Sequence, residues 1–280
     1  MLQIGDYNEL KVVRDAPQGI YLESVDVDIL MPAKYVPAGT EIGDMLKCFI
    51  YKDSEDRLIA TTLKPYGKVG DFACLKVKDV NNTGAFMDWG LEKDLLVPHN
   101  EQHKRMEPGH KYVVRICLDE KSDRIIGVSR LSPFISRDLE DLSEGEKVNL
   151  LIYEFTDLGV MAIVNDKFRG MLYRNEVFKD LEVGSKVEGY IKKKRDDGKI
   201  DLTLQEQGYR EVVSASRIIE DKLKEHKGIL EFSDNSSPED IRDFFHMSKK
   251  VFKKAVGGLY REGKIEISDN QIRLKDKNKE

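Results

Sequence analysis

Three segments of the chain share one spacing of glycines, and this repeat limits the possible folds more than any other feature. Each copy opens with a glycine and an acidic residue, and a second glycine follows fourteen residues later. A third marker comes thirteen or fourteen residues further on, and a last glycine eleven residues after that. The markers are Gly5, Gly19, Pro32 and Gly43 in the first copy, Gly70, Gly84, Pro98 and Gly109 in the second, and Gly145, Gly159, Tyr173 and Gly184 in the third. Such self-similarity indicates a duplicated module.

Each copy contains short runs in which apolar and polar residues alternate, as in strands with one buried face. In the third copy these runs cover 147–155, 160–164, 168–173, 186–192 and 200–204, with Asp196-Asp197-Gly198 as a hairpin turn before the last. A short module of five strands buries its core best by closing into a barrel, which removes exposed strand edges. The repeat therefore predicts three consecutive OB-type five-stranded barrels.

From Arg210 the apolar period changes from two to about 3.6, which indicates helices. The pattern predicts a helix that ends near Gly228, a strand at 229–232, a helix capped by Ser237, a helix from Lys249 to Tyr260 capped by Ser248, and a hairpin at 264–274. This order is typical of a winged helix, whose third helix usually enters a nucleic-acid groove. The predicted fold is multidomain and mainly β, with an α+β domain last and boundaries at 1–66, 67–137, 138–208 and 209–280.

The net charge of −5 argues against a protein that coats nucleic acid by bulk attraction. The charge is uneven, at −3 for residues 1–69, −2 each for 70–142 and 143–209, and +2 for 210–280. No apolar run approaches the roughly 18 residues of a membrane span. The three cysteines lack the paired spacing of zinc sites or disulfides, so we expect buried thiols in a cytoplasmic protein without metal or cofactor.

The second copy carries motifs of a known family. Its Thr83-Gly84-Ala85-Phe86-Met87 resembles the aromatic-Gly-Ala-Phe-Val run of S1-type RNA-binding barrels, and 95–98 and 128–129 resemble that family's third and closing strands. The third copy is similar but looser, and the first is the most degenerate. Three S1-like modules followed by a winged helix resemble the conserved virulence factor B family of bacteria. The resemblance implies an RNA-binding protein that regulates gene expression after transcription.

The resemblance also indicates which face of each barrel would bind RNA. Period-two alternation places Phe86 on the face opposite Ala85 and Met87, and the family uses this outward face. The corresponding residues of the other copies are Tyr21 and Met161. The family's first aromatic position holds Gln18, Thr83 and Leu158, so the stacking platform is incomplete in every copy.

The third barrel and the winged helix are predicted to do most of the binding. Tyr173 can stack on a base, and Arg169 shares its face. The family also has an acidic residue in the last hairpin, followed four residues later by a basic residue. The basic residues of these hairpins are expected to contact phosphates, and they are Arg57, Arg124, Arg195 and Lys199, with Lys192, Lys193 and Lys194 beside them. Lys249, Lys250, Lys253 and Lys254 share one face of the third winged-helix helix.

No catalytic constellation is visible in the sequence, which favours a non-catalytic binding protein. The predicted partner is single-stranded RNA. Two alternatives stay open: a DNA-binding regulator that reads duplex through the winged helix, and a protein-interaction scaffold on the ribosome or RNA polymerase. His99, His103 and His110 lie close together, but their spacing is not that of a metal site.

Overall fold

The computed structural model describes residues 2–25, 27–174, 177, 180–205 and 209–275. The chain forms two compact units, one ending at Ile135 and one starting at Ser136. The first unit holds two closed five-stranded barrels. Their strands are β1 (Tyr7–Ala16), β2 (Gly19–Leu22), β3 (Ile29–Pro32), β4 (Met45–Lys52) and β5 (Leu58–Thr61), and then β6 (Phe72–Val80), β7 (Gly84–Asp88), β8 (Leu95–Pro98), β9 (Lys111–Asp119) and β10 (Arg124–Val128).

The second unit begins with a third closed barrel of the same topology. In all three barrels the third and fifth strands pair parallel, and the other neighbouring strands pair antiparallel. The predicted fold class is therefore confirmed. The strands of the third barrel are β11 (Lys147–Phe155), β12 (Gly159–Val164), β13 (Phe168–Tyr173), β14 (Lys186–Lys194) and β15 (Ile200–Thr203).

The repeated glycines occupy equivalent places because a side chain would not fit there. The second glycine of each copy pairs with the third marker on the neighbouring strand, as Gly84 pairs with Pro98. A Cβ atom on Gly19, Gly84 or Gly159 would lie 2.0, 2.2 or 2.1 Å from a carbonyl oxygen of that strand. The glycines thus allow the second and third strands of each barrel to approach closely.

The winged helix follows in the second unit, with its elements close to the predicted bounds. They are α1 (Tyr209–Glu225), β16 (Ile229–Leu230), α2 (Pro238–Phe245), α3 (Lys249–Arg261), β17 (Ile265–Ser268) and β18 (Gln271–Leu274). Both predicted caps are confirmed, since the Ser237 hydroxyl accepts from the Asp240 N–H and the Ser248 hydroxyl from the Val251 N–H. The helices bury Ile219, Phe245 and Phe252 in one core.

The two barrels of the first unit share a hydrophobic core, which the sequence did not predict. Phe49 and Tyr51 of β4 are buried together with Trp89, which follows β7. The rings of Phe49 and Trp89 meet edge to face at 5.9 Å between centroids, a favoured aromatic geometry. In β4 the four residues from Cys48 to Tyr51 are all buried, because one strand face fills the barrel and the other packs on the second barrel.

The cysteines differ in burial. Cys48 is fully buried, whereas Cys74 and Cys117 are half-buried, against the expectation that all three lie in the core. Burial raises the pKa of the Cys48 thiol to about 11, so that this thiol stays protonated at neutral pH. No helix in the described part of the chain has the length and apolar character to cross a bilayer.

Replacing Gly84 by alanine is expected to lower the free energy of unfolding of the second barrel by about 1–3 kcal/mol, because the added methyl group pushes β7 and β8 apart. Trp89 is the chain's single tryptophan and is buried in this barrel, so its fluorescence during urea denaturation measures the change. Lys76→Ala, at an exposed position of β6, is the control and should stay within about 0.5 kcal/mol of the parent. Equal stabilities of the two variants would contradict the packing argument.

Candidate nucleic-acid interface

Three apolar side chains, one from each of three neighbouring strands, lie side by side on the outward face of the second barrel. Ala85 and Met87 are buried and Phe86 between them is half-buried, so the predicted outward position of Phe86 is confirmed. Phe86 pairs with Leu96 of β8, and Leu96 pairs with Ile126 of β10. The half-buried Phe86, Leu96 and Ile126 form a continuous apolar floor, here called the Phe86 face.

The hairpin between β4 and β5 of the first barrel turns the Phe86 face into a groove. Tyr51, Lys52 and Ser54 form one side of this groove, whose volume is about 490 Å³. The Lys93 ammonium fixes the hairpin by donating to the carbonyl oxygens of Lys52, at 3.0 Å, and Asp53, at 2.6 Å. Burial lowers the pKa of Lys93, as expected for an ammonium taken partly out of water.

Arg124 also joins the two barrels, which bears on its predicted contact with phosphate. Its Nε donates to Asp56 Oδ1 at 2.8 Å, and its Nη2 donates to the other carboxylate oxygen. The hydrogen bonds from Arg124 hold the pKa of the Asp56 carboxyl below its usual range. The acidic partner of Arg124 is thus Asp56 of the first barrel. It is not Glu120, which lies four residues before Arg124 in the sequence. A phosphate would have to compete with Asp56 for this guanidinium.

The two predicted site residues of the first barrel are engaged with their own neighbours. The Arg14 guanidinium lies 3.6 Å from the ring centroid of Tyr21, and the Gln18 amide donates to the Tyr21 hydroxyl at 2.8 Å. Arg57 makes ion pairs with Asp53 at 2.8 Å and with Glu55 at 2.9 Å. One face of the Tyr21 ring is therefore covered, and the charge of Arg57 is balanced locally.

The third barrel brings four predicted site residues onto one outward face. Arg169, Met171 and Tyr173 alternate with buried residues along β13, and Met161 of β12 lies directly opposite Met171. The Tyr173 hydroxyl donates to Asp201 Oδ1 at 3.3 Å, and Arg195 Nη1 lies 3.8 Å from the same oxygen. Arg169, Tyr173, Met161 and Arg195, together with Met171 and Asp201, are here called the Tyr173 face.

Tyr153 adds a second aromatic ring to this region, and the sequence analysis missed it. It is the extra residue of a bulge in β11, between the paired residues Ile152 and Glu154. Burial raises the pKa of its hydroxyl, while Arg169, which shares a hydrogen bond with it, opposes this rise. The equivalent strands β1 and β6 have bulges at the same place. The repeat register aligns Tyr153 with Val13 and Lys78, which are the bulge residues of β1 and β6. The register could therefore have indicated that Tyr153 occupies a repeated position.

The basic run beside the Tyr173 face does not act as one patch. Lys192 and Lys193 are exposed, and Arg195 and Lys199 both pair with Asp197, at 3.4 and 2.9 Å. Lys194 points elsewhere, because its ammonium donates to the carbonyl oxygens of Leu139, at 3.0 Å, and Leu142, at 2.7 Å. It fastens the segment before β11 to the barrel, and we leave Lys194 out of the proposed interface.

The four predicted lysines of α3 fall into two pairs. Lys249 donates to the Ser236 carbonyl at 2.8 Å, and the Lys253 ammonium lies 3.6 Å from Asp234. Lys250 and Lys254 are exposed one turn apart and have no ion pair within the described residues. The helix also extends one residue beyond the predicted end, to Arg261, whose Nε donates to the Gly257 carbonyl at 3.2 Å.

Comparison with protein families matches both kinds of domain. Residues 217–274 match the model of a CvfB-like winged helix domain, and residues 4–63 and 69–127 match the S1 domain model. The first copy, expected to be the most degenerate, is thus matched as well. The two models fall on the first barrel, the second barrel and the winged helix.

Curated relatives match most of the chain. The uncharacterized protein YitL of Bacillus subtilis is 27% identical over 269 residues, covering 93% of this chain and 90% of its own length. Conserved virulence factor B of Staphylococcus aureus is 26% identical and covers 85% of this chain and 81% of its own length. A crystal structure of a multidomain protein with nucleic acid binding domains from Streptococcus pneumoniae aligns over 97% of this chain and 98% of its own, with 21% identity and a TM-score of 0.47.

Lys194→Met is expected to lower the free energy of unfolding of the second unit by about 1–2 kcal/mol, because two carbonyl groups lose their donor. The nucleic-acid affinity of the folded protein should not change. Urea denaturation followed by circular dichroism and titration with labelled RNA measure the two quantities. Lys193→Met is the matched control. It should lower the nucleic-acid affinity and leave the free energy of unfolding unchanged. A loss of affinity without a loss of stability in Lys194→Met would contradict the assigned role.

Proposed function

We propose that this chain is a member of the conserved virulence factor B family that binds single-stranded RNA and catalyses no reaction on it. The observation that carries the proposal is the Tyr173 face of the third barrel. Barrels that bind single strands combine rings on which bases stack with cations that follow the phosphates. Tyr173, Tyr153 and the Met161–Met171 pair supply flat and polarizable surfaces, and Arg169 supplies a cation among them.

The cations around this face support contacts with the RNA backbone. Lys192 and Lys193 are exposed on the strand that ends beside Arg195, and Arg195 reaches Asp201 on the Tyr173 face. In the winged helix, Lys250 and Lys254 present two exposed charges on α3. Backbone phosphates are recognised through such cations without regard to sequence. We propose that the RNA is held mainly by phosphate contacts and by a few stacked bases.

The alternative of a DNA-binding regulator has less support from the side chains of α3. In the major groove asparagine or glutamine recognises adenine, and arginine or lysine recognises guanine. The helix contains no asparagine or glutamine, and its single arginine, Arg261, lies in the last turn with Nε on the Gly257 carbonyl. The exposed lysines suit phosphates of either nucleic acid. We therefore propose RNA as the partner and regulation of gene expression after transcription as the role.

The first barrel is proposed to support the second and not to bind RNA by itself. Its β4 aromatics are buried in the shared core, Tyr21 is covered by Arg14, and Arg57 is neutralised by acids. These contacts are all made within the chain, so they do not support the alternative of a protein-interaction scaffold on the ribosome or RNA polymerase.

Fluorescence anisotropy with a labelled single-stranded RNA of about 16 nucleotides tests the proposal, since this length covers the site of an OB fold. Tyr173→Ala should weaken binding by about 5–150-fold, which corresponds to the stacking of one base. The combined change Lys192→Glu and Lys193→Glu should also weaken it, whereas Lys167→Glu with Lys186→Glu, at exposed positions of the same barrel, should have little effect. Equal or tighter binding to duplex DNA of the same sequence would refute the RNA assignment.

The winged helix gives a separate prediction. Lys250→Glu with Lys254→Glu should reduce RNA affinity and lower the slope of log K against log salt by about 0.7 for each phosphate that the variant no longer neutralises. The control is Arg217→Glu with Lys224→Glu, which makes the same charge change at exposed positions of α1. If both double variants weaken binding equally, the effect is one of overall charge and α3 is not part of the interface.

A further inference from the structure

A pocket on the second barrel is lined, apart from Val80, by side chains that can donate hydrogen bonds or carry positive charge. It has a volume of about 540 Å³, and no carboxylate is among its described lining residues. This feature is unexpected in a region with a net charge of −2. The lining side chains that matter here are Asn81, Asn82, His99, His103, Lys104 and Arg105, which we call the basic pocket.

The loop that supplies most of the basic pocket is anchored to the barrel. The side chain of Gln102 is buried, and its amide donates to the Val97 carbonyl at 3.0 Å while its carbonyl accepts from the Met106 N–H at 3.3 Å. The His103 N–H donates to the Ser129 hydroxyl at 2.8 Å. The backbone at His103, Lys104 and Arg105 is therefore fixed before binding. This reduces the entropic cost of ordering the loop when a ligand binds.

The opposite side of the basic pocket is the turn between β6 and β7. His99 Nε2 lies 2.9 Å from the Asn81 carbonyl oxygen, and because a carbonyl can only accept, Nε2 carries the proton. Within the turn, Asn81 Oδ1 accepts from the N–H of Thr83 at 2.8 Å and from its hydroxyl at 2.5 Å. These bonds hold the turn and the His99 ring together as one wall.

The same turn separates the basic pocket from the groove on the Phe86 face. Thr83 lines the groove together with Phe86, and its neighbours Asn81 and Asn82 line the basic pocket. An apolar floor for a base therefore adjoins a cluster of cations and donors within one turn. This arrangement matches the alternation of base and phosphate in a nucleic-acid strand.

We infer that the basic pocket is an oxyanion site that holds a phosphate group. Lys104 and Arg105 supply charge, and the Asn82 amide and the His103 ring supply further donors, as phosphate oxygens require. Acidic Glu101 and Glu107 flank the loop but do not line the pocket. Resting on the proposed function, we further assign this phosphate to the backbone of an RNA strand whose neighbouring base lies on the Phe86 face.

Histidine imidazole NMR signals test the oxyanion site on the full chain, because only five histidines are present. Titration with inorganic phosphate at constant pH and ionic strength should shift the signals of His99 and His103 saturably. The signals of His226 and His246, in the winged helix, should stay in place. Lys104→Gln with Arg105→Gln should abolish the saturable shift, whereas Lys76→Gln with Lys121→Gln, at exposed positions of the same barrel, should retain it. Absence of the shift in the parent protein, or its persistence in Lys104→Gln with Arg105→Gln, overturns the site.

Anisotropy with RNA distinguishes a backbone phosphate from a free one. If the strand supplies the phosphate, Lys104→Gln with Arg105→Gln weakens RNA binding and lowers the salt slope by about 0.7. An unchanged RNA affinity together with an abolished phosphate shift overturns the assignment to RNA and leaves a site for a small phosphate compound. If the parent chain binds phosphate but no RNA, the proposed function fails while the oxyanion site stands. Unchanged signals of His226 and His246 and an unchanged Trp89 unfolding curve confirm that the variants are folded.

Discussion

The contact on which each barrel depends is the one between a glycine and a carbonyl oxygen of the next strand. At Gly19, Gly84 and Gly159 the backbones of two strands come so close that a Cβ atom would collide with the neighbouring chain. This contact fixes the pairing register, and in a strand the register decides which side chains point outward. Phe86 and Met161 are outward because they lie two residues beyond these glycines. The location of the candidate interface therefore follows from a packing constraint in the backbone.

The constraint also explains why so much of the fold could be predicted from the sequence. The repeat markers are backbone requirements, and such requirements are visible as residue types at fixed spacings. Gly70 donates its N–H to the Ile116 carbonyl, as Gly5 does to Ile50 and Gly145 to Ile191, and all three have φ values between 80° and 97°. Ser237 and Ser248 are likewise local signals, because a helix cap involves residues only three positions apart.

The partners of long charged side chains could not be predicted in this way. The alternation of apolar and polar residues predicts the strand face on which Arg124 lies. Its acidic partner, Asp56, is 68 residues away in another barrel and could not be predicted in this way. Lys194 belongs to a run of four basic residues, yet its ammonium binds the carbonyls of Leu139 and Leu142 in the segment before β11. A flexible lysine or arginine can reach several groups from one backbone position, so its partner depends on tertiary packing.

The three barrels use the same outward position in different ways, and the difference follows from what each position is packed against. In the first barrel Tyr21 is covered by its own Arg14. In the second, Phe86 forms the floor of a groove, and residues of the first barrel form one side of that groove. In the third, Met161 lies opposite Met171 on a face that also holds Tyr173, Arg169 and Arg195. Duplicated barrels keep their backbone register because each core requires it, whereas the outward side chains are free to diverge. The first copy also contributes to the core of the second, where the Phe49 ring meets Trp89.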